Sequence, residues 1–264
     1  MNRNRSPFVI TAAILVALGA LVTYFSGYYV DWLWFQSVDF TDVWTTVLAT
    51  KIQLFLVVGI VTSLIISLNI YLAYKRRPLY VPVSIEVSGL ERLRAQIEPI
   101  RTWVFVGVVA ALTYFAGSSG MVFWREWLLF KNATDFGVTD PQFGLDISFF
   151  AFRLPMWQAI IGWAISTLVL AALASAFIHY MYGGIRTNVQ SDRTTVAARV
   201  QISILLGLIV LLKAVAYWFD RYALALKESK LITGLTYTDV NATLPAKAIL
   251  SAIAVVCALL FFAN

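Results

Sequence analysis

The sequence predicts an all-α protein: a polytopic helical transmembrane bundle of about six spans, with short amphipathic helices at the membrane interface. Two observations carry this prediction. The chain of 264 residues is 60% hydrophobic and only 13% charged, and its apolar residues are gathered into long runs. A soluble domain carries roughly a quarter charged residues, whereas helices in lipid need polar groups mainly at their ends. We therefore expect lipid to be the main solvent of this chain.

Six apolar runs are long enough to cross a bilayer, whose hydrocarbon core of about 30 Å needs roughly 20 helical residues. They occupy residues 7–29, 52–74, 102–123, 156–182, 200–219 and 246–263. Arg3 and Arg5 precede the first run, as in a signal peptide, but the run is too long for a signal-peptide core. We expect it to stay as a membrane helix, so that residues 1–264 form one helical membrane domain.

The positions of lysine and arginine predict the orientation, because both favour cytoplasmic loops. They outnumber acidic residues in the N-terminal tail and in the second and fourth loops. The basic residues of these segments are Arg3, Arg5, Lys75, Arg76, Arg77, Arg92, Arg94, Arg101, Arg186, Arg193 and Arg199. We expect an inner (plasma) membrane protein with a cytoplasmic N-terminus. The net charge of +6 then reflects topology, and nucleic acid is not an expected partner.

The segments between the spans supply the candidate residues for partner contacts or loop motifs: Trp34, Asp140, Gln142, Asp146, Arg153, Asp239 and Asn241. Residues 31–50 are too polar to span and rich in aromatics, so we expect a helix lying along the outer interface; a partner-docking surface is the alternative. In the inner loop, Ser88 and Glu91 have capping-box spacing. They predict a short amphipathic helix that lies against anionic headgroups.

The acidic residues of the external loops allow two interpretations. Asp135, Asp140 and Asp146 are either a solvated acidic face or a cation site, since carboxylates are ligands for Ca²⁺. Their spacing matches no calcium loop, so we prefer the solvated face. Around Asp239, hydroxyl and carboxylate groups precede Pro245 and predict a cap for the final helix.

Two ionisable residues within the spans are candidates for chemistry, because such residues are costly in lipid. Lys213 is the intramembrane candidate, although it lies near enough to the outer helix end for its ammonium to snorkel outward. His179 lies at a predicted cytoplasmic end, where we expect an interfacial imidazole. With one His, one Cys and no glycine-rich phosphate loop, we expect no enzyme and predict no catalytic, cofactor-binding or metal-binding residue.

Four segments resemble a large uncharacterised protein family of actinobacterial multi-pass membrane proteins. They are residues 34–38, 77–80, 140–150 with 153–155, and 237–247. The resemblance implies seven spans followed by a large extracytoplasmic domain, so that this chain is the N-terminal membrane portion and that domain is absent from it. The family has no established reaction, and no catalytic residues follow from the resemblance.

These observations predict an anchoring or interaction module of the cell envelope, or an accessory subunit of a membrane complex. The expected partners are membrane lipids, together with a membrane protein or the missing extracytoplasmic domain. The alternative is a channel or a lipid or solute transporter with a groove lined by serine, threonine, tyrosine and Lys213.

Overall fold

The computed structural model describes residues 7–78, 95–186, 193–228 and 233–263. Within these ranges the chain forms α-helices and no β-strand, which confirms the all-α prediction. The helices are α1 Pro7–Ser37, α2 Thr41–Lys75, α3 Arg101–Met121, α4 Trp124–Lys131, α5 Leu154–Met181, α6 Val196–Ala223 and α7 Leu244–Ala263. The chain divides into two compact units, Met1–Ile52 and Gln53–Asn264.

Six helical stretches of the described chain are long and apolar enough to cross a membrane, as the sequence predicts. They are Thr11–Ser37, Thr41–Lys75, Ala95–Met121, Phe149–Met181, Val196–Leu226 and Asp239–Ala263. Several of these helices run past the apolar runs, because a helix ends where its terminal backbone groups find other partners and not where hydropathy falls.

The separate interfacial helix predicted over residues 31–50 is wrong. α1 continues to Ser37 and α2 begins at Thr41, so two long helices share this segment. Asp39 turns the chain between them with φ of +59°, a left-handed conformation that aspartate adopts more readily than most residues. The Phe40 N–H donates to the Phe35 carbonyl over 3.0 Å and closes the turn. The polar and aromatic character of the segment reflects helix ends.

The amphipathic helix predicted from Ser88 lies, except for residues 95–97, outside the described residues, as does the basic N-terminal tail.

The second unit is packed through small residues and a short apolar core. Gly117 and Gly120 of α3 lie against Phe55 and Val58 of α2. A Cβ at Gly117 would come within 2.7 Å of the Phe55 ring, and one at Gly120 within 2.6 Å of the Val58 Cβ. The missing side chains therefore let two backbones approach closely, as in packed membrane helices. The core joins α2, α5 and α6 through Ile66, Ala171 and Leu205.

A π-helical turn leads into each of two helices, and the same dipeptide follows each turn. Phe149–Arg153 precedes Leu154 and Pro155 of α5, and Asp239–Thr243 precedes Leu244 and Pro245 of α7. Proline lacks an N–H, and its ring crowds the carbonyl four residues earlier. That carbonyl lies inside the π turn in both cases, and the wider turn accommodates the ring. The two turns fix how the preceding loops join their helices.

Candidate functional site

The carboxylate of Asp146 organises the loop between α4 and α5. It accepts hydrogen bonds from the backbone N–H groups of Phe136 at 3.1 Å, Gly137 at 2.8 Å and Ser148 at 2.8 Å. The Ser148 hydroxyl, followed by the backbone N–H groups of Phe136 and Ser148, lowers the pKa of Asp146 from 3.8 to about 2, because hydrogen bonds favour the charged form. Asp146 is therefore a permanently charged brace at neutral pH.

Asp140 braces a second turn in the same loop. Its Oδ2 atom accepts from the backbone N–H groups of Gln142 at 3.0 Å and Phe143 at 2.7 Å. The Phe143 ring then packs against Tyr222 at the end of α6, with centroids 5.0 Å apart. The turn thus holds an aromatic ring of the loop against a neighbouring helix.

Asp135 serves a third contact in this loop, because it accepts from the Ser148 hydroxyl at 3.2 Å and lies 3.7 Å from an Arg153 nitrogen. The three aspartates 135, 140 and 146 share one loop. Asp135 and Asp146 both contact Ser148, whereas Asp140 has separate partners. In the described part of the chain, no group of three or more His, Cys, Asp or Glu side chains is placed to hold a metal ion.

Asp239 plays the corresponding part at the start of α7. Its carboxylate, 3% exposed, pairs with the Lys227 ammonium at 3.0 Å. It also accepts from the Thr236 N–H at 3.1 Å, while the Thr236 hydroxyl accepts from the Asp239 N–H at 3.1 Å. This reciprocal exchange has the form of a capping box, consistent with the capping role predicted for this segment. The nearby Asn241 is exposed and donates to the Tyr237 carbonyl.

The remaining sequence candidates, Trp34 and Lys213, belong to helices and not to these loops. Trp34, in the first unit, is exposed and packs edge-on against Phe35 at 4.9 Å. Lys213 lies on an exposed position of α6, with its ammonium 5.0 Å from the ring centroid of Tyr217. Tyr217 is one turn closer to the end of α6, so Lys213 extends in the direction expected for snorkelling.

A buried polar network among α2, α5 and α6 escaped the sequence analysis. The Gln201 amide nitrogen donates to the Asn69 carbonyl at 2.9 Å and to the Ser175 hydroxyl at 3.2 Å. The Gln201 Oε1 atom lies 3.0 Å from the His179 Nε2 atom. The expectation of an interfacial imidazole is therefore wrong: His179 is only 1% exposed, because three helices close around it.

The network fixes which nitrogen of His179 faces Gln201. A carbonyl only accepts hydrogen bonds, so the Gln201 nitrogen faces Asn69 and its oxygen faces the imidazole, whose Nε2–H donates to it. The Nδ1 atom is buried without a hydrogen-bond partner. A side chain in place of Gly184 would come within 2.9 Å of this atom. The sequence does contain a signal for this network, namely polar residues within apolar runs: Asn69, Ser175 and Gln201.

A cavity of about 410 Å³ lies among α2, α3 and α5. Its walls are mainly apolar and include Leu54, Val58, Gly120, Phe123, Met156 and Gly162. Gln158 and Ser166 add polar groups. The Trp163 indole N–H donates to the Thr62 hydroxyl at 2.9 Å. Lys213 does not line this cavity. The wall chemistry suits a hydrocarbon group.

These features define a class of protein: a helical chain with six helices of membrane-spanning length in its described part and loops braced by aspartates. The chain belongs to UPF0182, an uncharacterised protein family whose model matches residues 8–264. The family predicted from the four sequence segments is thereby confirmed.

The relatives are actinobacterial proteins of much greater length. A UPF0182 protein of Streptomyces coelicolor is 44% identical over 268 residues, which cover 100% of this chain and 27% of the relative. One from a Nocardioides species is 46% identical, covering 99% and 26%, and one from Thermobifida fusca is 43% identical, covering 100% and 26%. The chain thus spans about a quarter of the curated relatives that it matches. No solved structure matches it.

Proposed function

We propose that the chain is an anchoring and interaction module of the inner (plasma) membrane, with its N-terminus in the cytoplasm and no enzymatic activity of its own. It holds an extracytoplasmic region, or a partner complex, at the cell envelope. The observation that carries this proposal is the pair of braced loops before α5 and α7, where Asp146 and Asp239 fix the backbone through several hydrogen bonds each. Pre-organised loops lose less entropy when a partner docks.

The proposed orientation follows from charge. Lys75, Arg76, Arg77 and Arg101 lie at one end of α2 and α3, and basic residues favour the cytoplasmic side. The braced loops lie at the other end of this antiparallel arrangement, where α4 follows α3. The relatives are nearly four times as long as this chain, so the anchored region is either the remainder of the whole protein or a separate subunit.

Site-specific photo-crosslinking in native membranes tests the anchoring proposal. A crosslinking residue at Gln142 or Asn241, both exposed in the braced loops, is expected to capture a protein or a domain of the full-length chain. The matched control carries the same probe at Arg76, an exposed position just after the last residue of α2, on the proposed cytoplasmic side. A solitary chain that forms no crosslink from either loop contradicts the anchoring role.

The cavity among α2, α3 and α5 favours a second candidate, a protein that handles lipid. Gly162 lines the cavity, and a Cβ there would meet no atom within 4 Å, so Gly162→Phe is expected to fill it. Gly107→Phe is the control, since Gly107 on α3 has equal space and does not line the cavity. Lipid transfer between liposomes that proceeds equally with both variants rules out this route.

A further inference from the structure

Two arginines and two tyrosines meet where α2 ends, α3 begins and α5 ends. The Arg77 guanidinium carbon lies 4.0 Å from the ring centroid of Tyr74 and 5.3 Å from that of Tyr182. The two rings pack edge to face, 5.2 Å apart. The Arg101 guanidinium lies 5.1 Å from the Tyr74 centroid and donates to the Tyr74 hydroxyl. We call these four residues the arginine–tyrosine cluster.

The cluster orients the guanidinium of Arg77 without pairing it to a described carboxylate. A guanidinium held over an aromatic face keeps N–H groups at its edges. Arg77 is exposed, and its guanidinium has no carboxylate partner among the described residues. Arg101 is paired with Glu98 at 2.9 Å. The tyrosine rings thus orient a charged group without neutralising it.

The surrounding charge is strongly positive. Lys75 and Arg76 directly precede Arg77 and are exposed, and in the described part of this region Glu98 is the acidic side chain that faces the cluster. An excess of cations around a guanidinium that pairs with no described carboxylate matches a phosphate group, which arginine binds with two parallel hydrogen bonds.

The position of the cluster identifies the source of that phosphate. Tyr74 and Arg101 lie at the ends of two stretches of membrane-spanning length, Thr41–Lys75 and Ala95–Met121. Tyrosine is typical of the headgroup level, and inner-leaflet anionic lipids attract basic residues next to the spans. We propose that the arginine–tyrosine cluster binds the phosphate of an anionic phospholipid headgroup at the cytoplasmic surface. This inference depends on the proposed membrane orientation but not on the anchoring role.

Lipid retention measured by native mass spectrometry tests the proposal. The full chain, purified in mixed micelles, is supplied with phosphatidylglycerol or with phosphatidylcholine as the zwitterionic comparison. Arg77→Gln is expected to weaken phosphatidylglycerol binding about fivefold, the effect of one basic residue near an anionic surface. Arg125→Gln, at an exposed position on α4, is the charge-matched control and is expected to leave binding unchanged.

Two conservative variants separate an oriented site from simple charge. Arg77→Lys keeps the charge but loses the fork, so a partial loss is expected. Tyr74→Leu removes the ring without changing the charge and is expected to weaken binding, whereas Tyr74→Phe retains the ring and should bind better than Tyr74→Leu. Equal binding by wild type and Arg77→Gln, or equal losses in Arg77→Gln and Arg125→Gln, overturns the proposal.

Two further arms identify the source of the phosphate and isolate the inference. Inorganic phosphate at millimolar concentration should not displace phosphatidylglycerol, and complete displacement overturns the assignment to a lipid. The photo-crosslinks from Gln142 are recorded on the Arg77→Gln variant as well. Lost lipid with retained crosslinks supports the cluster as a separate site. Unchanged lipid with lost crosslinks overturns the inference and leaves the anchoring proposal to its own test.

Discussion

Charged side chains have different roles in the braced loops and in the arginine–tyrosine cluster of the second unit. In the braced loops, Asp146 receives three backbone N–H groups, and Asp239 is surrounded by Lys227 and Thr236. In the arginine–tyrosine cluster, Arg77 lies on two rings and pairs with no carboxylate of the described chain. The first arrangement uses charge to shape the backbone. The second orients a charged group towards the proposed ligand, the phosphate of a lipid headgroup.

The comparison predicts that substitutions in the braced loops act mainly on stability. Asp239→Ala is expected to give the largest effect, a fall in the thermal unfolding midpoint on the order of 5 °C, because it leaves Lys227 and the Thr236 N–H without their buried acceptor. Differential scanning fluorimetry in detergent measures it. Asn241→Ala, two residues away and exposed, should shift the midpoint little. Equal shifts in the two variants would show that Asp239 is no brace.

The buried polar network around Gln201 provides an intermediate case. Gln201→Met keeps the volume but removes the hydrogen bonds to Asn69, Ser175 and His179, and we expect a loss of about 1–2 kcal/mol in unfolding free energy. Gln158→Met is the control, since Gln158 faces the cavity. Unfolding in a titration of denaturing detergent compares the two. A larger loss for Gln158→Met contradicts the importance assigned to the network.

The brace at Asp146 also predicts a dependence on pH. Its pKa in the folded chain, about 2, lies below the ordinary value of 3.8. A lowered folded pKa stabilises the loop fully above about pH 4, and this stabilisation is lost as the pH falls towards 2. The amide resonance of Gly137, measured by NMR, should titrate with a midpoint near 2. A midpoint near 3.8, or an unchanged titration in Asp146→Asn, contradicts the assignment.

Arg77→Gln is expected to have the smallest effect on stability. A cation–π contact at an exposed site contributes about 0.5–1 kcal/mol, so the thermal midpoint should move by no more than roughly 3 °C. The same variant is expected to lose lipid. A fall as large as that of Asp239→Ala would mean that the cluster is a brace as well, and the contrast between the two ends would disappear.

The sequence predicted those parts of the structure that depend on local composition. Long apolar runs identified the helices, since a membrane-spanning helix satisfies its own backbone groups. The acidic loop candidates Asp140, Asp146 and Asp239 likewise lie in the segments that form the braced loops. Residues 31–50 were misassigned because a helix continues as long as its backbone is satisfied, whatever its polarity.

The features that the sequence analysis missed depend on contacts between distant segments. Gln201 meets Asn69 across 132 positions of the chain, and nothing local to either residue predicts the pair. Tyr182, which follows α5, is likewise distant in sequence from Arg77, whereas Tyr74 lies only three residues before Arg77. The sequence analysis considered only ionisable residues within the spans. It therefore missed the network, whose hydrogen bonds come largely from amide and hydroxyl groups.

The two π-helical turns have a mechanical consequence. An α-helix turns by about 100° per residue, so tightening either turn by one residue would rotate a whole loop about the axis of its helix. Pro155 and Pro245 oppose that tightening, because their rings would meet a carbonyl. The two prolines therefore preserve the π turns. By doing so they fix the angle about the helix axis at which each braced loop presents its outer surface.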